Sequence, residues 1–302
     1  MSVGPHEVLP AAVIIPSRGR PQLLSECVKS ILAGPRLPAE IVVVDQSDNP
    51  HPQLGALGNV RGCKVIYHHS NSRGTSASRN EGCQLAGQEI LLFIDDDILV
   101  TPDWVETMTV AVQREATSTL ISGRVRFVAK DELDGFAPSL IDEDQPKLFE
   151  GRIWSEVLFG GNMGFHRRIF DDLGTFDLRL GPGTMYLSAE DNDYCLRALD
   201  AGYRIRYLPE AIVHHQAWRS KASRTRLKWT YGVGQGAYYA KHIHLRDRYT
   251  LLRLRDDLRR YVRRTWEKLR TDPAGAKGDA AFVLGLAYGS ARWLLIERLV
   301  TR

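Results

Sequence analysis

Short, wholly apolar runs alternate with stretches of helical periodicity over the first hundred residues, and this alternation constrains the chain more than any other feature. Residues 12–15 form an apolar run closed by Pro16, and 22–32 follow with Leu23, Leu24, Cys27, Val28 and Ile31 at helical spacing. The pattern repeats. Residues 41–44 end at Asp45, 63–67 read as a third strand, 76–86 as a helix, and 90–94 as a fully apolar strand that runs into Asp95-Asp96-Asp97. Strands that alternate with helices and carry no polar face predict an α/β fold, Rossmann-like, with a mostly parallel central sheet covered on both sides. In such sheets ligands bind outside the carboxyl ends of the strands. Those ends carry Pro16, Ser17, Arg18, Asp45 and the three aspartates, which makes Pro16, Arg18, Asp45, Asp95 and Asp96 candidates for contact with a nucleotide.

Composition narrows the class. The chain has 302 residues, 43% apolar and 25% charged, which excludes collagen-like and disordered readings and allows one large domain with an appendage or two modest ones. The four cysteines, Cys27, Cys63, Cys83 and Cys195, contain no C-x-x-C pair, so no zinc knuckle or disulfide framework is expected, and a reducing, cytoplasmic compartment fits best. Residues 1–10 show no basic patch followed by an apolar run, so no signal peptide is expected. The most apolar late stretch, 280–296, is interrupted by Gly285, Gly289, Ser290 and Arg292 and reads as a packed or interfacial helix.

Charge is divided unevenly. Residues 1–218 hold 20 Lys+Arg against 29 Asp+Glu, whereas 219–302 hold 20 against 7, so an acidic body of −9 is followed by a basic segment of +13. The expected organisation is a domain over 1–218 and a basic helical extension over 219–302. From Leu245 onward Tyr249, Leu252, Leu258, Val262, Trp266 and Leu269 keep near-helical spacing while arginines take the other faces, the pattern of a basic amphipathic helix. Such a helix suits an anionic membrane surface; packing against the body or self-association are the plainer alternatives, and nucleic acid is not expected because no recognition motif accompanies the charge. Gly232-x-Gly234-x-Gly236 follows no strand and is not a dinucleotide fingerprint.

Three adjacent carboxylates at the mouth of an apolar strand repel one another unless a cation neutralises them. Oxygen donors of this kind suit Mg²⁺ or Mn²⁺, which in turn bridges phosphates. A solvated acidic turn is the plainer reading of the triplet taken alone. Further on, Gly160-Gly161-Asn162 is a tight segment of small residues, Ala189-Glu190-Asp191-Asn192-Asp193 opens a helix over 194–201, and 203–207 and 209–215 read as two strands with His214 and His215 at the end of the second. The stretch 129–150, rich in acidic residues, reads either as a lid or acceptor loop or as a solvated excursion, and Trp154 either as a sugar-stacking or a core residue.

The ordered set Val13-Ile14-Ile15-Pro16, Val43-Val44-Asp45, Ala77-Ser78-Arg79-Asn80-Glu81-Gly82, Phe93 to Asp97, Gly160-Gly161-Asn162, Glu190-Asp191 and Pro209 to His215 resembles family 2 glycosyltransferases of the GT-A fold over some 215 to 240 residues. The resemblance implies a nucleotide-diphosphate sugar as donor, with Asp45 at the base, Arg79 near the nucleotide, Asp95 near the ribose and metal, Asp97 and His215 as metal ligands, and Asp191 as catalytic base. Gly161, Asn162 and Glu190 fall on the donor-sugar or acceptor side. Two positions depart from the usual pattern: Ser17 replaces a frequent Thr, and Ser188-Ala189 stands where Gly or Trp is often found before Glu-Asp.

The chemistry is consistent with this assignment. A departing nucleoside diphosphate needs its growing charge neutralised, and an acceptor hydroxyl needs a carboxylate to take its proton. One base without an enzyme nucleophile inverts the anomeric centre. The expected activity is therefore inverting glycosyl transfer to an acceptor hydroxyl, lipid-linked or on an envelope glycan, by a cytoplasmic enzyme that contacts the membrane peripherally through 219–302. A nucleotidyltransferase would need a more Gly-rich loop after its first strand than Pro16-Ser17-Arg18-Gly19-Arg20, and a non-catalytic sugar- or nucleotide-binding scaffold would be expected to have lost some of these residues.

Overall fold

The computed structural model describes residues 8–115, 117–127, 135–136, 140–154, 157–216, 219–243 and 248–297. The chain divides into two compact units. The first comprises 1–131, 137–176 and 194–217, the second 132–136, 177–193 and 218–302.

The first unit opens with β1 (Leu9–Ser17), α1 (Pro21–Leu32), β2 (Pro38–Asp45), α2 (Pro52–Gly55), β3 (Asn59–Val60) and β4 (Cys63–His69). It continues with α3 (Thr75–Leu85), β5 (Ile90–Ile94), β6 (Ile98–Val100), α4 (Trp104–Glu115) and β7 (Thr119–Phe127). After β8 (Gly135–Phe136), a short strand that belongs to the second unit, come β9 (Lys147–Phe149), β10 (Asn162–His166), α5 (Arg167–Leu173), α6 (Glu190–Asp200) and β11 (Arg204–His215). The main sheet runs β3-β4-β2-β1-β5-β10-β7-β11-β6, with β9 also on β11. β4, β2, β1 and β5 are mutually parallel, as are β7 and β11, while β10 runs antiparallel between β5 and β7.

The unbroken apolar runs of β1, β2 and β5 have a direct cause. Val13, Ile15, Ile41, Val43, Leu92 and Ile94 face one core with Leu24, Val28, Ile31, Trp104 and Met108 from α1 and α4. Ala12, Ile14, Val42, Val44, Leu91 and Phe93 face a second core with Cys83, Ile169, Tyr194 and Leu199 from α3, α5 and α6. Successive residues point to opposite faces and both faces are covered, so neither tolerates a polar residue. Residues 203–207 and 209–215, expected as two strands, form the single strand β11, with a register shift between Leu208 and Ile212 around Pro209, which has no N–H for the ladder.

The second unit holds β12 (Arg219–Ser220), α7 (Arg224–His242), α8 (Arg248–Lys268) and α9 (Pro273–Arg292), the last followed by a π-helical turn, Trp293–Glu297. The glycines of 232–236 lie inside α7, where they allow close backbone approach. A Cβ on Gly232 or Gly236 would stand 2.2 Å from the Phe282 carbonyl or 2.1 Å from that of Leu286, and one on Gly289 would stand 2.0 Å from the Val233 carbonyl. Small residues four apart on both helices therefore set the α7–α9 contact. Residues 177–193 fall with these helices and not with the sheet, because Leu180 and Tyr186 share a core with Val233, Ala237, Ala240 and Trp293. The second unit thus takes in 132–136 and 177–193 besides the residues from 218 onward.

Candidate active site

The carboxyl ends of β1, β2 and β5 gather most of the predicted donor-side residues. Pro16 and Ser17 end β1, and Ser17 pairs in register with Asp45 at the end of β2. Asp45 is buried. Its Oδ1 accepts the Ser47 N–H at 2.9 Å and its Oδ2 the Tyr67 hydroxyl at 2.7 Å. Arg18 is exposed beside it.

The three aspartates after β5 meet different sets of partners, with Arg20 shared between Asp96 and Asp97. Asp95 Oδ1 accepts from Arg79 of α3 at 3.0 Å, and Arg79 is itself almost fully buried. Asp96 turns inward, with no exposure, and receives the Ser17 hydroxyl at 2.7 Å and the Arg20 guanidinium at 2.5 Å. Burial pushes its carboxyl up to about 7, against the pull of Arg20. Asp97 accepts from Arg20 on Oδ2 at 2.7 Å, and its Oδ1 lies 3.2 Å from His215 Nε2. Register creates this last contact. β6 follows Asp97 directly and runs antiparallel to β11 with Ile98 opposite His215, while the Gln216 N–H donates to the Asp97 carbonyl at 2.8 Å.

Gly160 and Gly161 close over this corner. Antiparallel pairing sets Asn162 opposite Ile94, so a Cβ on Gly161 would stand 2.8 Å from Asp95 Oδ2 and one on Gly160 2.5 Å from the Arg79 guanidinium. Asn162 differs from its expected role. It is fully buried, its amide donating to the Arg124 and Ala211 carbonyls at 2.9 Å each and accepting from Trp104 Nε1 at 2.9 Å, so it ties β10, β7, β11 and α4 together.

Glu190 and Asp191 belong to the second unit, in the first turn of α6. Glu190 is buried with its carboxyl against Gly181, whereas Asp191 is half-buried and its Oδ1 accepts the Asn192 N–H at 2.9 Å. Ala189, where the family often has Gly, adopts a φ of 72°, and Leu187 one of 55°. Trp154 is exposed, not in the core. Of the acidic stretch, 129–134 and 137–139 lie outside the described residues.

Arg20 was not singled out from the sequence. Its signal was there: a basic residue three positions beyond the end of the first strand, in a chain whose carboxylate triplet at another strand end requires countercharge.

Two features of the donor set bear on a divalent cation. Among the described residues no three His, Cys, Asp or Glu groups stand close enough to hold a metal by themselves. His215 is buried, faces Asp97 through Nε2, has Phe127 and Phe159 rings at 5.5 and 6.1 Å, and its Nδ1 finds no hydrogen-bond partner. One carboxylate and one imidazole fit a cation that completes its shell with phosphate oxygens and water, as Mg²⁺ and Mn²⁺ do in nucleotide sites.

Comparison with known proteins settles the class. Residues 12–174, more than half the chain, match the family described as Glycosyl transferase family 2. The chain belongs to this family. It is 27% identical over 226 residues to the glucosyl-dolichyl phosphate glucuronosyltransferase of Haloferax volcanii, covering 70% of this chain and 69% of that one. It is 30% identical over 211 residues to the pre-mycofactocin glycosyltransferase of Mycobacterium tuberculosis, covering 67% of this chain but 42% of the relative. Among solved structures, the mannosyltransferase PcManGT of Pyrobaculum calidifontis, in complex with GDP-Man and Mn²⁺, superposes with a TM-score of 0.60 at 16% identity over 95% of this chain and 88% of its own. S. aureus TarS 1-349 in complex with UDP-GlcNAc gives 0.54 at 15% identity, over 94% and 92%. The fold is GT-A, and this transferase moves a glycosyl group from a nucleotide sugar, which sets aside the scaffold and nucleotidyltransferase readings.

Proposed function

We propose that this transferase binds its donor at the β1, β2 and β5 ends and moves the sugar with inversion to a hydroxyl of a lipid-linked or envelope glycan. The observation that carries the reading is the Asp97–His215 pair, a buried carboxylate and imidazole 3.2 Å apart at the ligand end of a parallel sheet. When bound, a divalent ion there, Mn²⁺ or Mg²⁺, neutralises charge on the departing diphosphate. The protein's own groups do the rest. Asp45 and Arg79 hold the nucleotide, Asp95 the ribose side, and Asp96, anchored by Ser17 and Arg20, fixes the orientation of its neighbours. Asp191 takes the acceptor proton, and its place in the first turn of α6 favours the ionised form. Glu190, packed on Gly181, orients the acceptor.

The second unit supports placement at the cytoplasmic face of a membrane. Arg255, Arg259, Arg260 and Arg263 are exposed on α8 together with Leu251, Val262 and Trp266, the last 72% exposed. Val262, Trp266 and Leu269, half of the apolar set read from the sequence, are exposed. α9 with its following turn, Pro273–Ile296, is long and apolar enough to cross a membrane, with a third of its most apolar window buried. Arginines interleaved with exposed apolar groups match an anionic lipid surface. Thermal shift with UDP-, GDP- and dTDP-sugars, with and without Mn²⁺, tests the donor reading: one nucleotide class should stabilise the protein in a metal-dependent way that Asp97→Ala abolishes. Absence of any stabilisation would refute it.

A further inference from the structure

The turn that presents Glu190 and Asp191 holds two side-chain-bearing residues, Leu187 and Ala189, in left-handed conformations that such residues resist. Such a turn persists only if its surroundings determine it, and here the Gly181 N–H on the Ser188 carbonyl at 3.2 Å is joined by a set of contacts from one helix. Gly234 of α7 lies so close that a Cβ would stand 2.0 Å from Ser188 Oγ, and Ser188 Oγ donates to the Thr230 carbonyl at 3.2 Å. Buried Gln235 accepts from Asn192 Nδ2 at 3.0 Å. Lys241 Nζ lies 2.6 Å from Asp193 Oδ1 and 2.7 Å from Asp177 Oδ2, and His242 Nε2 lies 2.8 Å from the same Asp193 oxygen. Asp193 has no exposure, and its carboxylate is paired with the Lys241 ammonium and lies within hydrogen-bond distance of the His242 imidazole.

The grip therefore falls on residues 188, 192 and 193, on both sides of the acidic pair. We infer that α7 is the positioning element of the acceptor side, and that Lys241 is its principal positioning residue, fixing the first turn of α6 through Asp193 and Asp177. The inference rests on the reading of Asp191 as base. It makes the basic C-terminal helices part of the catalytic apparatus and not an appendage.

The test compares Lys241→Met, Lys241→Arg and Gly234→Ala in the full chain, with kcat, donor dissociation constant in the presence of Mn²⁺, and melting temperature read for each. Because small misplacements of a reacting group are costly, Lys241→Met and Gly234→Ala should each lower kcat by about 10- to 100-fold with the donor constant within about twofold of wild type, and Lys241→Arg should restore most of the loss. Equal kcat in Lys241→Met and wild type, or equal losses in Lys241→Met and Lys241→Arg, would overturn the role. So would donor affinity falling in step with kcat. If Lys241→Met lacks a cooperative melting transition, Gly234→Ala, which leaves every charge in place, decides. Asp191→Asn measured alongside separates the two claims: full activity there removes the base assignment, whereas an inactive Asp191→Asn beside an unchanged Lys241→Met overturns the positioning role alone.

Discussion

The two acidic sites are built on opposite physical plans. The Asp95–Asp97 corner ends a strand whose register is dictated by a ladder and two apolar cores, and each carboxylate meets a partner delivered by a neighbouring strand end or helix. The Glu190–Asp191 turn has no ladder. It rests on left-handed residues, a glycine contact and a buried ion-pair group. The first plan gives a rigid anchor for the proposed cation site, and the second sets the proposed base on a turn held in part by a helix far along the chain.

Substitutions sharpen this contrast. Asp97→Ala should have the largest effect, removing one of the two proposed cation ligands, with turnover in Mn²⁺ expected to fall by about 10³-fold or more. Asp191→Asn should cost about 10²- to 10⁴-fold in kcat, the usual span for general-base catalysis, while leaving donor binding intact. Within the ladder-built site, Asn162→Ala strands the Arg124 and Ala211 carbonyls and the Trp104 N–H, and about 2 to 4 kcal/mol should be lost in urea unfolding. In the turn-built site the sign reverses: Ala189→Gly relieves a left-handed residue and should stabilise by about 0.5 to 1 kcal/mol in the same measurement.

The acid limb of stability gives the smallest signal. Burial raises the Asp177 pKa, but hydrogen bonds from Arg179 and the charge of Lys241 outweigh it and hold the carboxyl well below the usual range. A depressed folded-state pKa contributes stability above the unfolded value, near 3.9, and loses it as pH falls further. Asp177→Asn should therefore melt with less dependence on pH below about 4 than wild type. An identical acid slope in the two proteins would show that the ion pairs around Lys241 do not form.

Sequence reading was uneven for the same reason that the two plans differ. Apolar runs covered on both faces are visible as runs, so β1, β2, β5 and the aspartates at the sheet's ligand end were legible. His215 was legible through its motif, and its pairing with Asp97 depends on a β6–β11 register that no local pattern shows. The residues that hold the Glu190–Asp191 turn lie some 40 to 50 positions later, in a helix whose glycines and basic residues read as solvated or merely packed. The structural bonds of Asn162 to β7, β11 and α4 were not legible, because burial of an amide among separate elements leaves no periodic trace.

The most direct test of the whole account is calorimetric binding of the donor identified by thermal shift, with and without Mn²⁺, on wild type, Asp97→Ala and Asp191→Asn, paired with turnover. The account expects metal-dependent binding in wild type and in Asp191→Asn, its loss in Asp97→Ala, and turnover in wild type alone. Unaltered donor binding in Asp97→Ala, or wild-type turnover in Asp191→Asn, would contradict it.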